Sequence, residues 1–237
     1  MQSQTKPSRC VAIIPARGGS KRIPDKNIRS FCGVPIIGRS IRAAQESGLF
    51  EKIIVSTDSA QIAEVAIQFG AEVPFFRDAE LSGDKAGLHS VMADALRQLA
   101  IYGISPDFVC CLLATAPMVR AGDLRNGLEM LQQSGARMSL SVTEFPYCIF
   151  RALRHDEQGR AVMIWPENLT RHSQEFPQAF HDAGQFYWWD ARRFEDNPTM
   201  FFSDCVPVFL PRSRVQDIDT LEDWEHAENL FQNLQHE

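Results

Sequence analysis

The chain has 237 residues, 44% of them hydrophobic, enough for one large domain with a sizeable core. Its 24 Lys and Arg against 30 Asp and Glu leave a net charge of −6, which argues against nucleic acid or an anionic membrane as the main partner. No apolar run approaches the roughly 20 residues of a bilayer span, and the polar start MQSQTKPSRC does not read as a signal peptide, so a cytoplasmic location is expected.

Cys10 to Ile14 (CVAII) reads as a short buried strand, followed at once by a glycine- and lysine-rich loop. Pro35 opens a helix with Ile36, Ile37, Ile41 and Ala44 on one face and Gly48 as its stop. Lys52 to Thr57 (KIIVST) is a second buried strand, and Ile62, Val65, Ala66 and Phe69 mark a helix closed by Gly70. Val91, Met92, Ala95, Leu96 and Leu99 form the next helical stripe, Phe108 to Leu113 (FVCCLL) a third buried strand, and Leu124, Leu128 and Leu131 a further helix. Strands that are apolar throughout, separated by amphipathic helices, predict a three-layer α/β domain with a mainly parallel sheet, whose ligands sit at the C-terminal strand ends.

After Ser139 the pattern changes. Met138 to Phe145, Ile149 to Leu153 and Ala161 to Ile164 read as short strands joined by turns, so one domain over residues 1–237 is expected to carry an antiparallel insertion at about 140–175. The insertion is rich in apolar residues (Phe145, Tyr147, Ile149, Phe150), which either pack on the main domain or meet a partner subunit. A strand from Cys205 to Leu210 and a helix capped by Thr220 close the chain. None of the six cysteines is spaced as C-x-x-C, so reduced thiols packed as small hydrophobes are expected.

The segment Pro15-Ala16-Arg17-Gly18-Gly19-Ser20-Lys21-Arg22-Ile23-Pro24-Asp25-Lys26-Asn27 is the most informative. Two glycines let the backbone approach an anion closely, and Arg17, Lys21, Arg22 and Lys26 concentrate positive charge at the end of a buried strand. A polyphosphate answers that self-repulsion. The loop matches neither G-x-x-x-x-G-K-[ST] nor G-x-G-x-x-G.

The run IIPARGGSKRIPDKN resembles the signature of the cytidylyltransferases that activate acidic sugars, the CMP-sialic acid synthetase family. The likeness continues through KIIVSTDSAQIAEVAIQFGAEVPFFRDAEL to VQDIDTLEDW, and CCLLATAP, SVTEFPY and HDAGQFYW resemble most closely the members that act on pseudaminic acid. The resemblance implies a sheet of the nucleotide-diphospho-sugar transferase type, transfer of CMP from CTP to an acidic nine-carbon sugar, Mg2+ as cofactor, and a homodimer formed through the insertion. The same chemistry on neuraminic, legionaminic or 3-deoxy-octulosonic acid is the near alternative, and a non-catalytic nucleotide-binding protein the distant one.

By the same resemblance Arg17, Ser20, Lys21 and Lys26 hold the CTP phosphates, with Arg17, Lys21 and Lys26 catalytic. The Gly18-Gly19 backbone belongs to the same phosphate loop, Asn27 contacts the ribose, the backbone around Pro15 and Ala16 faces the cytosine, and Arg77 meets the base, a surface charge after a short strand being the rival reading of Arg77. Arg171, His181, Asp182 and Gln185 would line the sugar pocket, although a core strand beginning at Phe186 is a rival reading of that segment. Many relatives carry a small hydroxyl residue shortly after the position of Asp84, where this chain has Leu88. Asp217 and Asp219, two apart in an extended segment, can project to one side and meet one cation. Spacing alone equally allows Asp219 as a helix-entry residue and Asp217 as a solvated charge; the resemblance favours the metal.

Overall fold

The computed structural model describes residues 8–83, 86–196 and 204–235. Cys10–Pro15 form β1, whose residues alternate between two cores: Cys10 and Ile14 face one helical layer, Val11 and Ile13 the other. Neither face meets water, which is why the strand reads as continuously apolar. A small ribbon follows the glycine loop, β2 (Ser30–Phe31) and β3 (Val34–Pro35), and leads into α1 (Ile36–Ser47). Gly48 ends α1 in the left-handed region, at φ +66°. Next come β4 (Phe50–Ser56), α2 (Ala60–Gln68) with Ser59 Oγ capping the Ile62 N–H, α3 (Leu88–Ile101), β5 (Phe108–Leu112) and α4 (Ala121–Ser134).

The second half holds β6 (Met138–Glu144), a two-stranded hairpin of β7 (Leu153–His155) and β8 (Ala161–Met163), the long β9 (Phe180–Asp190), α5 (Ala191–Asp196), β10 (Cys205–Phe209) and α6 (Leu221–Leu234). Six strands form the main sheet in the order β10-β6-β9-β5-β1-β4, with only β9 antiparallel to its neighbours. Ala12 of β1 lies between Ile53 of β4 and Cys110 of β5. α1, α2 and α4 cover one face, α3 and α5 the other, giving the expected three layers.

Two readings of the second half need correction. Met138 to Phe145, expected to begin the antiparallel insertion, instead supplies β6 to the main sheet, so the inserted region starts after Glu144 and runs to β9. The apolar Ser-alternating pattern of β6 has the same period either way; its distant partners, antiparallel β9 and parallel β10, decide. Within the insertion, Ile149–Arg151 is a 3-10 turn and β7 pairs with β8, Leu153 opposite Met163. The segment from His181 to Trp188, for its part, lies wholly inside β9.

α6 joins neither main layer. With Ile23 of the glycine loop, Phe31, Ile36 and Ile218, its Trp224 and Ala227 form a third buried cluster. A capping box holds its start, Thr220 Oγ1 accepting from the Asp223 N–H and Asp223 from the Thr220 N–H. All six cysteines are free thiols, and among the described residues no helix is long and apolar enough to cross a membrane.

Candidate active site

Because five strands run the same way, β1, β4, β5, β6 and β10 all end on one edge of the sheet, and the reversed β9 begins there. Two clefts open along that edge. The first lies over β1, β4 and β5 and is lined by Pro15, Arg17, Ser20, Lys21, Arg22, Lys26, Asn27, Arg77 and Asp219. The second lies over β9 and β6 and is lined by Thr143, Glu144, His181, Asp182, Arg212, Gln216, Asp217 and His226.

Local bonds explain the loop's shape. The Gly18 N–H donates to Asp58 Oδ1 at 2.8 Å, tying the ends of β1 and β4 together, and a Cβ on Gly18 would stand 3.0 Å from that of Ser59. Asn27 is buried and its Nδ2 donates to the Arg17 carbonyl at 2.9 Å, so it braces the loop as well as lining the cleft. Ala16 faces the core instead of the cleft, with its N–H on the Ser56 carbonyl, and neither Gly18 nor Gly19 lines the first cleft. The cleft thus presents side-chain cations more than glycine amides.

Arg77, which a sequence reading leaves open as a surface charge, is 94% withdrawn from solvent; its guanidinium bonds Ser56 Oγ and the Ser56 carbonyl. Burial first and the like charge of Arg17 lower its pKa, while Asp58 and Asp94 oppose the shift. An anion in this cleft would relieve that repulsion. Leu88 opens α3 and lines the cleft, so the position where relatives carry a hydroxyl is apolar here. The His89 ring folds towards Gly87, and Asp84 lies outside the described residues.

The segment 215–219 separates the clefts. Ile218 is fully buried in the α6 cluster, Asp217 lines the second cleft and Asp219 the first. Lys26 Nζ donates to the Ile218 carbonyl at 2.6 Å and lies 3.7 Å from Asp219, which Arg22 also pairs at 2.8 Å. The Asp217 side chain remains open to solvent, yet the cleft walls remove enough water around it to raise its pKa; Asp219 adds to the rise and Lys26 opposes it. Asp217 and Asp219 repel one another, and carboxylate oxygens are the ligands a hard divalent cation prefers; here Asp217 faces the second cleft while Asp219 faces the first and is paired with Arg22. Among the described residues no group of three or more His, Cys, Asp or Glu could hold a metal, so any further ligands would have to be water or substrate oxygens.

At the start of β9, four residues (183–186) stand opposite Ser141 alone, between the pairs Val142 with Asp182 and Leu140 with Tyr187. This bulge carries Gly184 at φ +60° and turns Asp182 and His181 towards the second cleft. Asp182 accepts from the Gly184 N–H at 2.9 Å and from the buried Tyr187 hydroxyl at 2.6 Å. Gln185, expected at the sugar, is buried beneath the cleft, its Nε2 on the Ala183 and Gly184 carbonyls. Its Nε2 serves the bulge, while its Oε1 is buried with no hydrogen-bond partner among the described residues. Arg171, also expected there, is exposed in the insertion, 3.7 Å from Glu175 and stacked over Phe176, outside both clefts. Thr143, Glu144 and Arg212 were not expected. The position of Glu144 at the end of a parallel strand would have flagged it, had β6 been placed in the main sheet.

Comparison with known proteins agrees with this geometry. A family model described as cytidylyltransferase matches residues 11–152. The chain is 39% identical over 221 residues to a pseudaminic acid cytidylyltransferase of Campylobacter jejuni, covering 93% of this chain and 95% of that protein. It is 34% identical over 229 residues to a CMP-N,N'-diacetyllegionaminic acid synthase of Legionella pneumophila, covering 94% and 97%. Among solved structures, a CMP:2-keto-3-deoxy-manno-octonic acid synthetase complexed with CTP superposes with a TM-score of 0.73 over 95% of this chain and 99% of that one; at 15% identity the likeness is one of fold.

Proposed function

The chain belongs to the cytidylyltransferase family, and on that premise we propose that it transfers CMP from CTP onto pseudaminic acid, an acidic nine-carbon sugar, releasing pyrophosphate. The carrying observation is the juxtaposition of a five-cation cleft with a second cleft across one carboxylate-bearing segment, which suits a triphosphate and an attacking sugar on either side of the bond to be made. The 39% identity to the Campylobacter jejuni enzyme supports pseudaminic acid; the Legionella pneumophila relative keeps legionaminic acid as the second reading.

The sugar's anomeric oxygen attacks the α-phosphorus, a new P–O bond forms, and the bond to the pyrophosphate oxygen breaks. Such transfers need positioning and charge stabilisation more than covalent help. Arg17, Ser20, Lys21 and Lys26 hold the phosphates, and the three cations answer the charge that grows on the leaving pyrophosphate. Asn27 keeps the loop in shape beside the ribose, and Arg77 lies at the floor towards the nucleotide. His181 and Asp182 face the sugar. Arg171 stands away from both clefts of its own subunit, so a role for it at the sugar depends on a second copy of the chain. Mg2+, held by Asp217 and Asp219, would supply a Lewis acid for phosphate oxygens. Six free thiols and the use of CTP support a cytoplasmic setting. Exposed Tyr147, Leu153, Leu169 and Trp165 in and beside the β7–β8 hairpin support a homodimer through the insertion.

Pyrophosphate release from CTP, assayed with a panel of acidic sugars, tests the reading. Pseudaminic acid is expected to be the preferred acceptor, and Asp217→Asn or Asp219→Asn to lower turnover at least about 10³-fold with circular dichroism unchanged. CTP binding without pyrophosphate release on any sugar would leave only a nucleotide-binding protein.

A further inference from the structure

We propose that Arg214 is a positioning residue that sets Asp217 at the boundary of the two clefts, through a bidentate ion pair with Asp123. Its two terminal nitrogens lie 2.5 and 2.9 Å from the two carboxylate oxygens of Asp123, and both side chains are nearly buried. The inference rests on the assignment of Asp217 and Asp219 as metal ligands.

The chain between β10 and α6 has few anchors. Leu210 is fixed to β6, its N–H on the Val142 carbonyl and its own carbonyl on Thr143 Oγ1. Ile218 is fixed by burial in the α6 cluster and by Lys26. The stretch in between carries Asp217. Val215 rests against the main core, but an apolar contact has no preferred direction. Gln216 Nε2, 2.8 Å from the Asp217 carbonyl and 3.2 Å from Asp223 Oδ1, ties the stretch to α6; Arg214, three residues before Asp217, supplies the directional tie to the main domain. The 3-10 turn Arg212–Arg214 delivers the side chain inward while leaving Arg212 at the second cleft.

The partner of Arg214 is itself held. Asp123 Oδ2 also accepts from the Arg120 N–H at 2.8 Å, which fixes it at the start of α4. The α4 entry follows directly on the loop that carries Leu113, Ala114 and Thr115 into the first cleft, and Arg214 Nη1 reaches the Met118 carbonyl of that loop at 3.4 Å. One guanidinium therefore joins the wall of the first cleft to the segment that closes it. A fork of two parallel bonds fixes distance and angle together, which a lysine's single ammonium does not.

Mn2+ binding in the presence of CTP, read by electron paramagnetic resonance of the free ion, tests the inference without turnover. Arg214→Lys keeps the charge and loses the fork; Arg214→Met with Asp123→Leu replaces the pair by apolar groups and keeps the test open should the lysine variant fold poorly. In both, the dissociation constant for Mn2+ is expected to rise about tenfold, the range seen when an outer support of a metal ligand is removed. CTP binding without metal, by calorimetry, should stay within about twofold, the limit taken here for an effect confined to the metal side. Parent-like Mn2+ affinity in both variants would overturn the role of Arg214, and so would an equal loss of metal-free CTP binding, which marks a general structural defect. If parent and Asp217→Asn bind Mn2+ alike, the metal assignment itself fails, an outcome separable from the other two.

Discussion

Asp217 stands where its charge is disfavoured, withdrawn in part from water and beside Asp219, so its carboxyl titrates above its ordinary value. A carboxylate with a raised folded-state pKa binds its proton more tightly in the native protein than in the unfolded chain. Its ionisation therefore subtracts stability, an effect absent below the ordinary carboxylate pKa and fully present once pH exceeds the raised one. Asp217→Asn is expected to raise the thermal midpoint of the cation-free protein at pH 7 by about 1–3 °C, an advantage that vanishes near pH 3. Differential scanning fluorimetry across pH reads this directly. No gain at pH 7 would mean that Lys26 neutralises the site unaided. The same substitution is thus expected to stabilise the fold and, on the proposed metal role, to lower turnover.

At the level of elements, the bulge of β9 against β6 carries the second cleft. Ser141 is buried, and its hydroxyl accepts from the Gln185 and Phe186 N–H groups while donating to the Phe186 carbonyl. Ser141→Ala leaves those amides without their partner, at a cost of about 1–3 kcal/mol. Because the bulge aims His181 and Asp182, the KM for the sugar should rise severalfold while the KM for CTP holds. A change in the CTP constant alone would contradict this division between the clefts. The bulge also marks where sequence stops being a guide. β1, β4, β5 and their helices were legible because each strand is apolar on both faces and each helix has one buried stripe. The cation row from Arg17 to Lys26 was legible because charge at a strand end has one ready explanation. Gln185 was assigned to the sugar because an amide near a cleft looks like a ligand; its recruitment to bulge carbonyls depends on a register that no local pattern encodes. Met138 to Glu144 is legible as a strand, but not as part of the main sheet, since its partners β9 and β10 are far along the chain.

At the scale of the whole molecule, Tyr147, Leu153, Ile164, Trp165 and Leu169 form a run of exposed apolar side chains within the insertion among the described residues. Tyr147 is 86% exposed and Leu169 65%, unusual for residues of that size on a surface that is otherwise strongly charged. Tyr147→Asp with Leu169→Asp is expected to turn a dimer into a monomer in sedimentation velocity, leaving CTP binding intact. A monomeric parent would remove the dimer from the reading. The strand order has a further consequence, for a chain emerging from the ribosome. The strands under the first cleft, β1, β4 and β5, are complete by Leu112 and pair with one another. β6, made soon afterwards, has no neighbour until Phe180 begins β9, because β9 is the only bridge between it and β5. β9, made after the insertion, thus supplies the missing pairing for the open edge of β5 and for the unpaired β6 together. Those edges are the chain's hour of exposure, and the length of the insertion sets how long it lasts.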